Sequence, residues 1–191
     1  MNIILDFGHG GMLNGKYQTK GKRSPKWDDG SQLFEGVFNR GVGNKVARLL
    51  DWDNIDYDIL VHEENDISLS ERVRRANKIY SKRKDSILIS IHANGFSKES
   101  ANGFEVFTSR GDTDSDKYAK IIHSCYVSKI KEIKDRGIKE AGFAMVKRTN
   151  CPAVLIECGF MTNYDECQFL LNNEYRIAKA IFDGIKTINN G

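Results

Sequence analysis

The sequence predicts a single α/β domain with a twisted, mostly parallel central β-sheet and helices on both of its faces. Short apolar runs alternate with segments of helical periodicity along the chain. These runs are mostly continuous rather than alternating, which is typical of strands that are buried on both faces. The 191 residues fit one domain of ordinary size, and no change of composition divides them.

Five apolar runs are predicted strands because they are short, rich in β-branched or aromatic residues, and bounded by Gly, Asn or Asp. They are residues 3–7 (IILDF), 57–61 (YDILV), 86–91 (SILISI), 103–107 (GFEVF) and 153–158 (AVLIEC).

Five segments carry apolar residues at helical spacing and are predicted helices. They are residues 33–50, 68–84, 113–134, 163–171 and 175–188. Ser68 with Glu71 fits a capping box, and Asn163 with Glu166 is a looser version of the same signal. Strands that alternate with helices in this way favour a parallel sheet covered on both sides.

Charge and composition exclude several classes of protein. A net charge of +3 and a pI near 8.6 are too weakly basic to predict nucleic-acid binding, although they allow an anionic polymer or surface as partner. No apolar stretch reaches the roughly 18 residues of a membrane span, and the N-terminus does not have the pattern of a signal peptide. The four cysteines form no C-x-x-C pair, so we expect free thiols and synthesis in a cytoplasm.

Residues 8–32 form one long segment without a strand or helix signal. Loops of this length in a compact domain usually have a function. This loop contains five cations with Trp27 beside them: Lys16, Lys20, Lys22, Arg23 and Lys26. Two interpretations stay open at this point. The segment is either a solvated basic loop or a lip that contacts an anionic substrate.

Side chains that can bind a metal or transfer a proton follow three of the predicted strands. His9 follows the first strand, His92 follows SILISI, and Glu157 closes AVLIE. Because ligands of open α/β sheets bind outside the carboxyl ends of the strands, these residues project from one edge if their strands are parallel neighbours. The glycines around His9 leave room for a ligand to approach its imidazole.

Two histidines and a carboxylate, with an open fourth position, are the ligand set of a catalytic zinc site. The candidate carboxylate is Glu35, near the start of the predicted helix 33–50, where the chain returns from the long loop. Glu157 is then free for acid–base chemistry. His62 precedes an acidic run and His123 lies within a predicted helix, so we expect both to be structural.

Six segments together resemble the zinc-dependent N-acetylmuramoyl-L-alanine amidases of bacterial autolysins and phage endolysins. In order they are DFGHGG, LFEGVFN, SLSERVRRAN, ISIHAN, RGIKEAGFAMVKRTNCPAVLIECGFMTN and IAKAIFDGI, which cover nearly the whole chain. The resemblance implies one zinc ion held by His9, Glu35 and His92, with Glu157 as the catalytic residue. It also implies hydrolysis of the amide between the lactyl group of N-acetylmuramic acid and the L-alanine of the peptidoglycan stem peptide. We expect Asn94, within ISIHAN, to contact that substrate.

Two alternative functions are considered beside the zinc amidase. The first is a cell-wall-binding module that keeps the fold without turnover, and the intact ligand set with Glu157 argues against it. The second makes Cys158 a nucleophile beside a histidine. On a strand, however, Cys158 faces away from Glu157, so a buried structural thiol is the expectation.

The sequence also predicts where the protein is made and where it acts. We expect residues 1–191 to form a single catalytic domain without a separate wall-binding domain. The expected route is synthesis in the cytoplasm without a signal peptide, followed by action on the cell wall. A holin-type release supplies that route in a phage setting.

Overall fold

The centre of the protein is a six-stranded β-sheet, seen in a computed structural model that describes all 191 residues. Its strands follow the order β4-β1-β5-β8-β6-β7 across the sheet. They are β1 (Asn2–Phe7), β4 (Tyr57–Ile59), β5 (Ser86–Asn94), β6 (Phe104–Thr108), β7 (Asp135–Glu140) and β8 (Ala153–Phe160). Two further strands, β2 (Met12–Leu13) and β3 (Lys16–Tyr17), form a separate hairpin within the long loop.

The sheet is mostly parallel, which confirms the predicted fold class. Strands β4, β1, β5 and β8 run parallel to one another, while β6 pairs antiparallel with β8 and parallel with β7. The register pairs Phe7 with Ile91 and His92 with Glu157. The ends of β1, β5 and β8 therefore meet at one edge of the sheet.

Six helices surround the sheet: α1 (Glu35–Trp52), α2 (Leu69–Lys82), α3 (Asp114–Lys129), α4 (Ala144–Lys147), α5 (Tyr164–Asn172) and α6 (Glu174–Asn190). Both predicted N-caps are present, but the Ser68–Glu71 capping box is only half formed, because the Glu71 carboxylate bonds to Arg74 and Arg75 instead of to the Ser68 backbone. The Ser68 hydroxyl accepts the Glu71 backbone N–H at 3.3 Å, and the Asn163 side chain accepts the Glu166 backbone N–H at 3.0 Å. None of these helices has the length and apolar character that crossing a bilayer requires.

Helices cover both faces of the sheet, as predicted. The larger core cluster packs β1, β5 and β8 against α1, α3, α5 and α6, while the smaller cluster packs their other face against α2 and α4. Along β1, Ile3 and Leu5 face the larger cluster and Ile4 faces the smaller one. This double burial explains why the strands read as continuous apolar runs rather than alternating ones.

Four elements were not predicted from the sequence: β7, α4 and the two short strands β2 and β3. Strand β7 lies at the sheet edge with exposed or half-exposed polar residues, and the predicted helix 113–134 ends at Lys129 before it. Helix α4 is a single turn and is too short to show a periodicity. The loop 8–32, predicted to have no strands, contains the β2–β3 hairpin. Asn14 and Gly15 at its turn have φ of 51° and 73°, which is the Asn-Gly signature of a tight hairpin turn.

Candidate metal centre

The predicted ligand residues come together at the carboxyl edge of the sheet. His9 lies just beyond β1, His92 lies near the end of β5, and Glu35 is the first residue of α1. One ligand atom from each of the three lies within 4.8 Å of the others. The Glu35 Oε1 atom is 2.9 Å from His92 Nδ1 and 3.3 Å from His9 Nε2. Two imidazoles therefore converge on one carboxylate.

The backbone around His9 is fixed by contacts from α1. His9 has a φ of 65°, a left-handed conformation that is uncommon outside glycine. Its carbonyl accepts a hydrogen bond from the Arg40 guanidinium at 2.7 Å, and the Gly8 carbonyl accepts one from the Asn39 amide at 2.9 Å. Backbone strain of this kind persists where the surroundings hold it, and it is frequent at functional sites.

Two glycines create the space in which the centre forms. A Cβ atom on Gly8 would lie 2.1 Å from Cε1 of His92, so the imidazole rests directly on the strand exit. A Cβ on Gly36 would lie 1.9 Å from the Gly10 carbonyl oxygen, so the start of α1 packs against backbone. The glycines around His9 thus allow both a second imidazole and the helix carrying Glu35 to approach it.

Glu35 is held in its ionised form although it is only 2% exposed. Burial opposes ionisation, but hydrogen bonds to His9 and His92 outweigh burial and hold the pKa of Glu35 well below its usual range. Burial lowers the pKa of His92, but the hydrogen bond to Glu35 and the charge of its carboxylate outweigh burial and raise it. The Glu35 Oε2 atom is buried without a hydrogen-bond partner.

The donor set fits a catalytic zinc ion. A buried carboxylate oxygen without a partner is costly unless a cation or a donor completes its environment. Two imidazole nitrogens and a carboxylate oxygen are the ligands of known hydrolytic zinc sites, which keep a fourth position open. His9, Glu35 and His92 are therefore able to hold one such ion.

Glu157 lies beside this centre on β8, directly across from His92 in the β5–β8 register. Its Oε2 atom is buried and has no hydrogen-bond partner. Burial raises the pKa of Glu157 to about 8, with His92 opposing the shift and Glu35 adding to it. A carboxyl group with a pKa near neutrality can both accept and donate a proton in this pH range.

A cleft of about 770 Å³ opens onto the centre. His9, Glu35, His92 and Glu157 all line it. Asn94 lines it as well, but its side chain already donates to Glu105 at 3.1 Å and accepts the Gly95 N–H at 2.8 Å. A substrate contact by Asn94 stays a prediction.

The sequence reasoning missed a buried charge next to Glu157. Glu105 is 3% exposed and is the cross-strand partner of Glu157 between β6 and β8. Arg136 bonds to its carboxylate at 2.8 Å, and Lys139 forms a second ion pair with it. An acidic residue in the middle of the run GFEVF is the signal that could have identified it, since a buried carboxylate needs cationic partners.

The remaining candidate residues lie elsewhere. Cys158 is fully buried in the larger core cluster, on the face of β8 opposite Glu157, and burial raises its pKa well above that of a free thiol. This environment does not produce a nucleophilic thiolate. His123 bonds to Asp135 at 2.7 Å and stacks on Phe104, and His62 is exposed on the surface, so neither belongs to the centre.

Comparison with known proteins identifies the family to which the chain belongs. The pattern of the N-acetylmuramoyl-L-alanine amidase family matches residues 3–187. The chain therefore belongs to the N-acetylmuramoyl-L-alanine amidase family. The amidase fold extends over the whole chain. An N-acetylmuramoyl-L-alanine amidase structure from Clostridium difficile 630 superposes with a TM-score of 0.81 at 29% identity, covering 100% of this chain and 97% of that one.

Two relatives from Bacillus subtilis (strain 168) show how the family varies in length. The uncharacterized protein YqiI is 30% identical over 187 residues, which are 96% of this chain and 82% of YqiI. The N-acetylmuramoyl-L-alanine amidase LytC is 30% identical over 186 residues, which are 95% of this chain but only 34% of LytC. The chain thus corresponds to most of one relative and to about a third of the other.

Proposed function

We propose that the protein is a zinc-dependent peptidoglycan hydrolase. The bond it cleaves is the amide between the lactyl group of N-acetylmuramic acid and the L-alanine of the stem peptide. The observation that carries this proposal is the convergence of two imidazoles, one carboxylate and a second, unpartnered carboxyl group in one cleft of an amidase-family chain. Residues 1–191 are the catalytic domain in this proposal, and the cell wall is its site of action.

Each residue of the centre has a separate task. His9, Glu35 and His92 hold one zinc ion. When bound, the ion supplies Lewis-acid polarisation of the scissile carbonyl and makes water a better nucleophile at neutral pH. Both imidazoles must be neutral to act as ligands, so protons compete with the metal at acid pH. The Arg40 and Asn39 bonds to the backbone of His9 and Gly8 keep the first imidazole oriented.

Glu157 moves the proton. It accepts a proton from the attacking water while the water oxygen forms a bond to the carbonyl carbon. As the carbon–nitrogen bond breaks, the same carboxyl group donates that proton to the alanine nitrogen, which leaves as a neutral amine. The products are a lactyl carboxylic acid on the glycan, which then releases its proton to solvent, and a peptide with a free L-alanine amino group.

Digestion of purified peptidoglycan tests the bond. We expect new L-alanine amino groups, detected by amine labelling and mass spectrometry, without new reducing sugar ends. Reducing ends in place of free amines would instead identify a glycosidase. Binding to walls without any release of peptide would favour the non-catalytic wall-binding module.

Two glutamate variants separate the assigned roles. Glu157→Gln keeps the zinc content and lowers turnover by about 10²–10⁴-fold, the usual contribution of a positioned acid–base group. Glu35→Gln loses the zinc itself, because a neutral amide is a poorer ligand for a dication than a carboxylate. A Glu157→Gln protein that turns over within a few-fold of wild type at equal zinc content contradicts the assignment.

A further inference from the structure

The long loop between β1 and α1 presents five cations, of which the fold pairs only one with a carboxylate. Of its five cations, four form no ion pair: Lys16, Lys20, Arg23 and Lys26. The fifth, Lys22, is half exposed, and its Nζ is 3.9 Å from Glu35 Oε2. Solvated surface cations are common, so their position relative to the cleft decides whether they matter.

The loop that carries these cations is anchored to the rest of the fold by hydrogen bonds. The Tyr17 hydroxyl donates to the Lys22 carbonyl at 2.8 Å and accepts the Gly36 N–H at 2.9 Å, which ties the loop to the start of α1. The Thr19 hydroxyl donates to Asp66 at 2.8 Å, which ties it to the segment before α2. Side chains on a pre-organised loop bind a ligand at a lower entropic cost than those on a mobile one.

Only some of the cations face the centre. Lys22 and Arg23 line the same cleft as His9 and Glu157, whereas Lys20 and Lys22 line a smaller adjoining pocket of about 340 Å³. Lys16 and Lys26 are exposed and line neither space. Lys22 and Arg23 are therefore the two loop cations that line the cleft.

The chemistry of a muramoyl peptide indicates what these two cations meet. The carboxyl group of the lactyl side chain is consumed in the scissile amide, and N-acetylated hexosamines are neutral. All negative charge near the amide consequently belongs to the stem peptide beyond L-alanine. A guanidinium and an ammonium at the rim of the cleft complement such carboxylates.

We propose that Lys22 and Arg23 form a carboxylate subsite that binds the stem peptide beyond L-alanine. The subsite rests on the proposed function and assigns a direction to the substrate, with the peptide against the basic loop. Of the two interpretations of the loop, this subsite corresponds to the lip that contacts an anionic substrate.

A binding experiment with the metal-free protein tests this subsite without relying on turnover. The probes are N-acetylmuramoyl-L-alanyl-D-glutamate and its diamide, titrated by nuclear magnetic resonance. We expect the wild type to bind the diacid more tightly than the diamide. Arg23→Ala weakens binding of the diacid about tenfold, as the loss of a charge-assisted hydrogen bond does, and leaves the diamide unaffected. Lys22→Ala acts in the same direction.

Lys16→Ala and Lys26→Ala are matched controls, because each removes one positive charge from the same loop outside the cleft. Both should bind the two probes as the wild type does. Equal weakening by all four variants would show a diffuse electrostatic field and overturn the subsite, as would equal binding of diacid and diamide by the wild type.

Failure of the subsite and failure of the proposed function give different results. A zinc-loaded wild type that releases L-alanine amines from peptidoglycan but binds both probes equally contradicts the subsite alone. A zinc-loaded wild type that leaves the lactyl–alanine amide intact, with the preference for the diacid retained, supports the carboxylate subsite and contradicts the hydrolase.

Discussion

Replacing Gly8 by alanine tests the packing that brings the two imidazoles together. The new Cβ would lie 2.1 Å from the His92 ring, whereas ordinary contacts begin at 3.4 Å. The ring must therefore move by about 1.3 Å, the difference between these two distances. Metal–ligand distances tolerate only about 0.2 Å, so His92 can no longer share an ion with His9 and Glu35 without rearrangement.

We expect Gly8→Ala to weaken zinc binding by at least about 10–100-fold, the effect of disturbing groups that orient a metal ligand. Competition with a chromogenic chelator measures this affinity. Gly142→Ala is the matched control, because a Cβ at Gly142 meets nothing within 4 Å and its φ is not left-handed. The control should bind zinc as the wild type does.

A double-mutant cycle assigns the effect to the contact with His92. In a His92→Ala background the ring is gone, so Gly8→Ala should cost little further stability in the metal-free protein. Chemical denaturation of the four proteins supplies the free energies of unfolding. Equal destabilisation by Gly8→Ala with and without the imidazole would refute the argument and place the steric conflict elsewhere.

Three further predictions concern the metal, the pH dependence and the buried charges. Elemental analysis should find about one zinc per chain in the wild type and much less in His92→Ala, whereas full retention by that variant contradicts the proposed ligand set. Burial raises the pKa of Glu157 to about 8, so the protonated carboxyl group contributes fully to the stability of the metal-free protein at acid pH, and this contribution is lost as the pH rises toward 8. The free energy of unfolding should therefore decrease between pH 5 and pH 8 in the wild type and decrease less in Glu157→Gln. The same slope in both proteins contradicts the raised pKa. Arg72→Met leaves the fully buried Asp6 without its ion pair at 3.2 Å and should cost about 3–5 kcal/mol in urea denaturation, while Arg74→Met removes only an exposed ion pair and should leave stability nearly unchanged; equal losses contradict the role of Arg72.

The sheet and its edge were predictable because they follow from local signals and one topological rule. Strands buried on both faces produce continuous apolar runs such as IILDF and SILISI, and these runs correspond to β1 and β5. Parallel neighbours then bring the residues after each strand to a common edge. Provided that these strands are neighbours, the rule predicts that His9, His92 and Glu157 lie at one edge.

The features that the sequence analysis did not predict lack such signals for physical reasons. Strand β7 satisfies its backbone at an exposed edge, where apolar residues are not required, so DRGIKE has no strand pattern. The ion pairs of Glu105 with Arg136 and Lys139 join residues that are far apart in the sequence, and no local periodicity encodes them. The β2–β3 hairpin did have a signal, in Asn14 and Gly15, but two-residue strands are too short to show alternation.

The electrostatic state of the centre depends on the tertiary packing rather than on which residues are present. Glu35 and Glu157 are the same residue type within one cleft, yet the pKa of Glu35 is lowered while that of Glu157 is raised. The difference arises because Glu35 is hydrogen-bonded to two imidazoles, whereas Glu157 is buried with one oxygen unpartnered. Glycine at positions 8 and 36 permits the first arrangement, since any side chain there would separate the imidazoles from the carboxylate. The proposed division between a metal-holding Glu35 and a proton-transferring Glu157 thus rests on two different environments, imidazole contacts for the first and burial for the second.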